Sequence, residues 1–203
     1  MAETEWLLFL AQLPATPSSL RVNVWRRLRE AGATSLQNGV WILPRNSENA
    51  VFMERLLAFV KQNEASGQIF RVQGLSQAIE GDLIARFAVE RSQEYDEFLE
   101  QCDKLVAEIE KETRKKKFTF AELEENEQNV QRLRKWLAKI QKRDLFKTDK
   151  SQSAVTAFQS CQQALQNYTR QVYAQEGIDP LPGKASLADD LVQAETENDD
   201  ERE

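Results

Sequence analysis

Clustered arginines and lysines are the residues of this sequence whose chemistry points to a binding site. Arg21, Arg26, Arg27 and Arg29 fall on one predicted helix, where positions 26 and 29 can share a face. Guanidinium groups carry paired, planar donors that suit phosphate oxygens or another tetrahedral oxyanion. The cluster therefore predicts contact with nucleic acid or an oxyanion, although a solvated helix face beside Glu30 would have the same composition.

A second basic group, Arg114–Lys117, falls between two predicted helices. Adjacent cations repel one another unless an anion lies nearby, and a phosphate backbone would supply that anion with salt-dependent affinity. Phe118 and Phe120 could stack on bases, or they could anchor the turn in a core. The run predicts either a nucleic-acid contact through Lys115 and Lys116 or a solvated turn.

The richest basic stretch follows on the next predicted helix. Arg132, Lys135, Lys139 and Lys142 recur at helical spacing, so one strip of this helix is positive, as a DNA-tracking face requires. Four glutamates precede them within residues 122–127. Acids at the start and bases at the end of a helix also complement its dipole, and this second interpretation stays open.

Several classes of catalytic site are missing from the sequence. It contains no histidine, the residue most often used for proton transfer near neutral pH and for metal binding. It also lacks a phosphate loop, a dinucleotide-binding glycine motif, zinc-ligand spacing and a nucleophile elbow. We therefore predict a protein that is not an enzyme and that uses no metal or cofactor. Cys102 and Cys161 are predicted to be buried free thiols, with a disulfide or redox pair as the alternative.

The net charge of −6 is unevenly distributed. Residues 1–90 carry nine basic and nine acidic side chains, residues 91–174 carry sixteen and fourteen, and residues 175–203 carry two and ten. The acidity therefore lies in the last segment, and a polyanionic partner is compatible with the rest. The acidic start does not resemble a signal peptide, and no apolar run reaches the roughly 20 residues of a membrane helix. We expect a soluble cytoplasmic protein with no membrane contact.

The first quarter of the chain predicts a small sheet. Residues 6–13 are apolar on both alternating faces, which is typical of a central strand. A helix begins near Thr16 and ends at Gly32. Strands follow over 33–37 and 40–44, joined by an Asn38-Gly39 hairpin turn. A second helix then continues to about residue 65, and a fourth strand is predicted over 68–74. The order βαββαβ predicts a ferredoxin-like plait, an α+β fold, over residues 1–76.

Heptad spacing of apolar residues begins at about residue 81 and continues to 174. This pattern predicts a long-helix extension or a small helical bundle. Its apolar faces must pack on one another, cover the sheet or pair with a second subunit, and we expect a homodimer. Residues 175–203 are rich in acids and contain Pro180, Pro182 and Gly183, so we predict a disordered acidic tail.

Four segments within the first 44 residues resemble the N-terminal domain of chromate-resistance regulators of the ChrB type. They are Trp6–Pro14, Arg21–Leu28, Gly32-Ala33 and Gly39–Pro44. The resemblance covers about residues 5–168 and continues through Lys142-Arg143-Asp144-Leu145-Phe146. A weaker similarity runs to the sheet domain of PaaX-type repressors. RNA-cleaving relatives of this plait place an aspartate after the first strand, where this chain has Ala11–Pro14, so we do not expect a nuclease.

The resemblance implies a bacterial, ferredoxin-like domain that belongs to a chromate-responsive, DNA-binding transcription regulator. Members of that family carry a C-terminal domain where this sequence has its acidic tail, so we expect that the usual sensor domain is lacking. We predict a regulator-type protein that binds duplex DNA and contacts chromate or another oxyanion. The alternative is a dimeric interaction module that does not bind DNA and acts with a separate partner domain.

Overall fold

The computed structural model describes residues 4–16 and 18–178 and has four strands and five helices in that part of the chain. The elements are β1 (Trp6–Gln12), α1 (Ser19–Glu30), β2 (Thr34–Gln37), β3 (Val40–Pro44), α2 (Ser47–Gln62), β4 (Ser66–Val72), α3 (Gln77–Arg114), α4 (Phe120–Arg143) and α5 (Lys150–Gln175). The predicted α+β class is confirmed. Most of the predicted acidic tail, from residue 179 onward, lies outside the described residues.

The four strands form one antiparallel sheet in the order β2-β3-β1-β4. Strand β1 lies in the interior of the sheet, and Leu8 is paired with Ile42 of β3 and with Phe70 of β4. Its interior position explains its apolar residues on both faces, since side chains alternate between the two sides of a strand. The predicted central position of this strand is confirmed.

One face of the sheet is covered by α1 and α2. Leu7, Phe9 and Leu43 point to this side and form a core with the apolar stripes of the two helices. Those stripes consist of Leu20, Val24 and Leu28 on α1 and of Met53, Leu56 and Val60 on α2. Each stripe recurs at helical spacing, so each helix buries one side and leaves the other in solvent.

The other face of the sheet carries an aromatic core. Trp6 and Ile42 pack against Phe87 from the early part of α3, and Phe146, which follows α4, joins them. The ring centroids of Trp6 lie 5.6 Å from Phe87 and 5.9 Å from Phe146. Both faces of the sheet are therefore covered within the chain.

The chain forms two compact units. The first comprises residues 1–99 and 135–154, and the second comprises residues 100–134 and 155–203, of which the structure describes those up to 178. Phe87 and Phe146 pack on the sheet, so parts of the helical region belong to the first unit. The units therefore do not coincide with a division between residues 76 and 81.

The second unit contains a helical core formed by segments of α3, α4 and α5. Its buried residues recur at spacings of three, four and seven, as the heptad pattern predicted. They are Cys102, Leu105 and Ile109 on α3, Leu123, Val130 and Leu133 on α4, and Phe158, Cys161, Tyr168 and Val172 on α5.

The Asn38-Gly39 turn between β2 and β3 is confirmed, and Gly39 has a φ of +75°. A Cβ at this position would lie 2.6 Å from the carbonyl oxygen of Ala11. We expect Gly39→Ala to lower the free energy of unfolding by about 1–3 kcal/mol, because it combines a left-handed backbone with a clash. Urea denaturation measures this change.

Gly81→Ala is the matched control, since a Cβ at Gly81 on α3 meets nothing within 4 Å. We expect this variant to be more stable than the parent by about 0.5–1 kcal/mol, because alanine favours the helix. Equal stability of the two variants would contradict the assigned turn.

Candidate nucleic-acid interface

The exposed side of α1 carries two of its four predicted site arginines. Arg21 and Arg26 are exposed, and Arg21 donates one hydrogen bond, at 3.3 Å, to the carbonyl oxygen of Pro14. Arg26 has no side-chain hydrogen bond or ion pair with any described residue. Trp25 is 52% exposed and Val22 is 47% exposed on the same helix. This surface combines cations with an aromatic ring, a composition that suits phosphates and bases or a protein partner.

Arg27 is held by its own domain. Its Nε donates a hydrogen bond to Asn23 Oδ1 at 2.9 Å, and its guanidinium lies 4.0 Å from the centre of the Phe59 ring. These two contacts fix the side chain between α1 and α2, because cation–π attraction adds to the hydrogen bond. Arg27 is therefore better suited to joining the two helices than to binding an external anion.

Arg29 belongs to a partly buried ionic network that the sequence interpretation missed. Its Nη1 lies 2.5 Å from a carboxylate oxygen of Glu90, and its Nη2 lies 3.7 Å from Glu94. Glu94 also pairs with Arg91 at 3.3 Å and with Arg143 at 2.8 Å. Three guanidinium groups thus share two carboxylates. The predicted availability of Arg29 for nucleic acid is not supported by this arrangement.

Arg91 is the most buried member of this network, with a side chain only 3% exposed. Three buried guanidinium nitrogens have no hydrogen-bond partner among the described residues. They are Nε and Nη1 of Arg91 and Nε of Arg143. Burial lowers the pKa of Arg91, although the charges of Glu94 and Glu90 oppose that effect. The network is therefore rich in donors and short of acceptors, so each carboxylate in it is important for stability.

The turn between α3 and α4 leaves two of its four cations free. Lys117 pairs with Glu122, and Arg114 lies 3.6 Å from Glu110. Lys115 and Lys116 are exposed and form no side-chain hydrogen bond or ion pair within the described ranges. The two lysines predicted as binding residues are thus the two that remain available to an anion.

The aromatic residues beside this turn are partly used for packing. The ring of Phe118 lies 5.7 Å from that of Tyr168, which also donates a hydrogen bond to the backbone carbonyl of Lys117. Phe120 lies 5.8 Å from Tyr173 and is 44% exposed. The anchoring role that the sequence left open fits Phe118, and Phe120 keeps an accessible ring.

The basic strip of α4, which consists of Arg132, Lys135, Lys139 and Lys142, has few internal contacts. Arg132, Lys135 and Lys139 are exposed, and Arg132 donates to the neutral Asn129 side chain at 2.9 Å. Lys135 and Lys139 form no side-chain hydrogen bond or ion pair with described residues. Lys142 differs, since its ammonium lies 2.9 Å from Glu48. Three cations at helical spacing are therefore free of carboxylate partners in the described part of the chain.

Within residues 4–16 and 18–178, no group of three or more histidine, cysteine, aspartate or glutamate side chains could hold a metal ion. None of the helices described there combines the length and the apolar character needed to cross a bilayer.

Comparison with known proteins agrees with the resemblance seen in the sequence. The family model for the N-terminal part of protein ChrB matches residues 21–178. Protein ChrB of Cupriavidus metallidurans (strain ATCC 43123 / DSM 2839 / NBRC 102507 / CH34) is 30% identical over 97 residues. That match spans 48% of this chain and 29% of the relative. Because the family model covers more than half of the chain, this protein belongs to the family of the ChrB N-terminal domain.

Proposed function

We propose that this protein is a DNA-binding regulator related to the chromate-resistance regulators and that α4 supplies its main phosphate-binding surface. The observation that carries the proposal is the exposed strip of Arg132, Lys135 and Lys139, which has no carboxylate partner among the described residues. Side chains with this spacing can follow a phosphate backbone, and their binding would release condensed counterions.

Two further surfaces support this proposal. Both offer cations that have no carboxylate partner among the described residues. One is Arg21 and Arg26 on α1, beside the exposed Trp25, and the other is Lys115 and Lys116 in the α3–α4 turn. Contacts of this kind position a protein on DNA without reading its sequence. The preference for one operator would come from groups that reach the base edges.

The wider context of the proposal follows from family membership. We propose a cytoplasmic protein whose regulated process is chromate resistance, with chromate or a similar oxyanion as the signal. We also assign the sheet to the ferredoxin-like plait, on the support of its βαββαβ order and of the position of β1 between β3 and β4. Because the curated match covers 29% of the ChrB relative, the regulatory role and the signal are proposals for this chain.

A charge-neutralised variant tests the DNA surface. We expect R132Q/K135Q/K139Q to bind duplex DNA about tenfold or more weakly, and to lower the slope of log affinity against log salt by about 3, because three phosphate contacts are removed. Fluorescence anisotropy with a labelled duplex from the promoter of the protein's own gene, at several salt concentrations, measures both quantities.

The matched control is R55Q/K61Q/R170Q, which removes the same charge from exposed positions on α2 and α5. We expect this variant to keep nearly all of the affinity and the salt slope. Equal weakening of the two variants would show that only net charge matters. Absence of any binding by the parent protein would reject the DNA-binding proposal.

A dimeric interaction module is the second candidate, and the exposed Trp25 and Val22 on α1 favour it. Tryptophan and arginine are enriched at the centres of protein interfaces. Sedimentation velocity with and without duplex DNA separates the two candidates. A stable dimer whose sedimentation is unchanged by DNA would favour the module.

A further inference from the structure

Two cysteine thiols meet in the core of the second unit. Cys102 lies on α3 and Cys161 on α5, and these residues are 1% and 0% exposed. The Cys161 Sγ donates a hydrogen bond to the carbonyl oxygen of Cys102 at 3.5 Å, so the Cys161 side chain contacts the residue that carries the other thiol. Because this contact places the two cysteines side by side in one buried site, an S–S bond of about 2.05 Å between them would join α3 to α5 there.

The two thiols differ in their ease of ionisation. The hydrogen bond with Cys102 lowers the pKa of Cys161, whereas the hydrogen bond with Cys161, together with burial, raises the pKa of Cys102. The thiolate is the reactive form of cysteine. These directions favour Cys161 as the thiol that reacts first, with Cys102 beside it in the thiol form.

The thiol pair is buried, whereas the residues on either side of Cys102 reach solvent. Gln101 and Asp103, the neighbours of Cys102 on α3, are exposed, and the negative charge of Asp103 acts on both thiols. A small neutral oxidant can reach such a site through local opening of helices, which proteins undergo at far lower cost than global unfolding.

We propose that Cys102 and Cys161 form a reversible intramolecular disulfide when a hydroperoxide oxidises the protein. The Cys161 thiolate attacks a peroxide oxygen, the O–O bond breaks, and the products are a sulfenic acid and an alkoxide or hydroxide that takes up a proton. The Cys102 sulfur then attacks the sulfenic sulfur, the S–S bond forms, and water leaves with the Cys102 proton. The two thiols are oxidised, the peroxide is reduced to an alcohol and water, and a dithiol reverses the reaction.

The full chain treated with hydrogen peroxide tests this proposal. We expect loss of both free thiols, a peptide that joins Cys102 to Cys161 within one chain, and recovery of both thiols with dithiothreitol. The bond would tie α3 to α5 and constrain the unfolded chain, so the thermal midpoint should rise by roughly 5–15 °C. Peptide mapping by mass spectrometry and thermal unfolding followed by circular dichroism provide the readouts.

Single variants test the order of the two steps. In Cys102→Ala, the oxidation of Cys161 should stop at the sulfenic acid, which a dione probe captures. In Cys161→Ala, the remaining Cys102 should react at least tenfold more slowly than Cys161 does in the first variant. If either variant fails to fold, the peptide map of the parent protein still decides whether the bond forms.

Three results would overturn the proposal. The first is a disulfide that links two chains, and the second is oxidation of each cysteine without a cross-link. The third is that both thiols stay free in the folded protein at a peroxide concentration that oxidises them in the denatured protein. The denatured sample serves as the control for reagent activity.

Discussion

Trp6→Ala is expected to lower the free energy of unfolding by about 3–5 kcal/mol, the usual cost of removing a large buried aromatic side chain. Trp6 is 0% exposed and its ring packs against Phe87 and Phe146. Its indole N–H also lies 3.0 and 2.9 Å from the two carboxylate oxygens of Glu80. The truncation therefore opens a cavity and removes a charge-assisted hydrogen bond at once. Urea denaturation followed by circular dichroism measures the loss.

Trp25→Ala is the matched control for this prediction. It makes the same chemical change on α1, where the side chain is 52% exposed, and we expect a change within about 0.5 kcal/mol. If the two variants lose similar stability, Trp6 does not lie in the core beneath α3. The predicted strand over residues 6–13 and its place in the sheet would then be wrong.

The parts of the fold that follow from local sequence could be predicted. The apolar residues on both faces of residues 6–13 indicated an interior strand, and Asn38-Gly39 indicated a hairpin turn, because both signals depend on neighbouring residues alone. The heptad residues, such as Cys102, Leu105 and Ile109, were likewise expected to be buried. Each of these features is read from spacing within one element.

Features that depend on distant residues could not be predicted. Arg26 and Arg29 occupy equivalent positions in the α1 pattern, yet Glu90, 61 residues away, pairs with Arg29 while Arg26 stays exposed. Helix α3 begins at Gln77, before the heptad pattern starts at about residue 81. The packing of Phe87 on the sheet is one of the alternatives that the apolar pattern leaves open, and only the tertiary structure selects it. The cations available for binding are therefore those that have no carboxylate partner in the tertiary structure, and the sequence alone does not show which these are.

Glu94→Gln is expected to lower the free energy of unfolding by about 3 kcal/mol, near the lower limit for breaking a buried ion pair. The change keeps the size of the side chain and removes one of the two carboxylates that serve Arg29, Arg91 and Arg143. Arg29 and Arg91 would then share Glu90 alone, and Arg143 would lose the carboxylate with which it pairs. Urea denaturation at neutral pH measures the loss. Glu97→Gln, the same change at an exposed position on α3, should alter stability by less than about 0.5 kcal/mol.

A second substitution in the same network separates charge balance from packing. Arg91 is 3% exposed and has two buried nitrogens without a partner in the described structure, so Arg91→Met removes an excess cation from the Glu94→Gln background. We expect the double variant to lose less stability than the sum of the two single variants, with a coupling of about 1–2 kcal/mol. Additive losses would mean that Glu94 and Arg91 act independently. In that case the shortage of acceptors would not be what makes Glu94 important for stability.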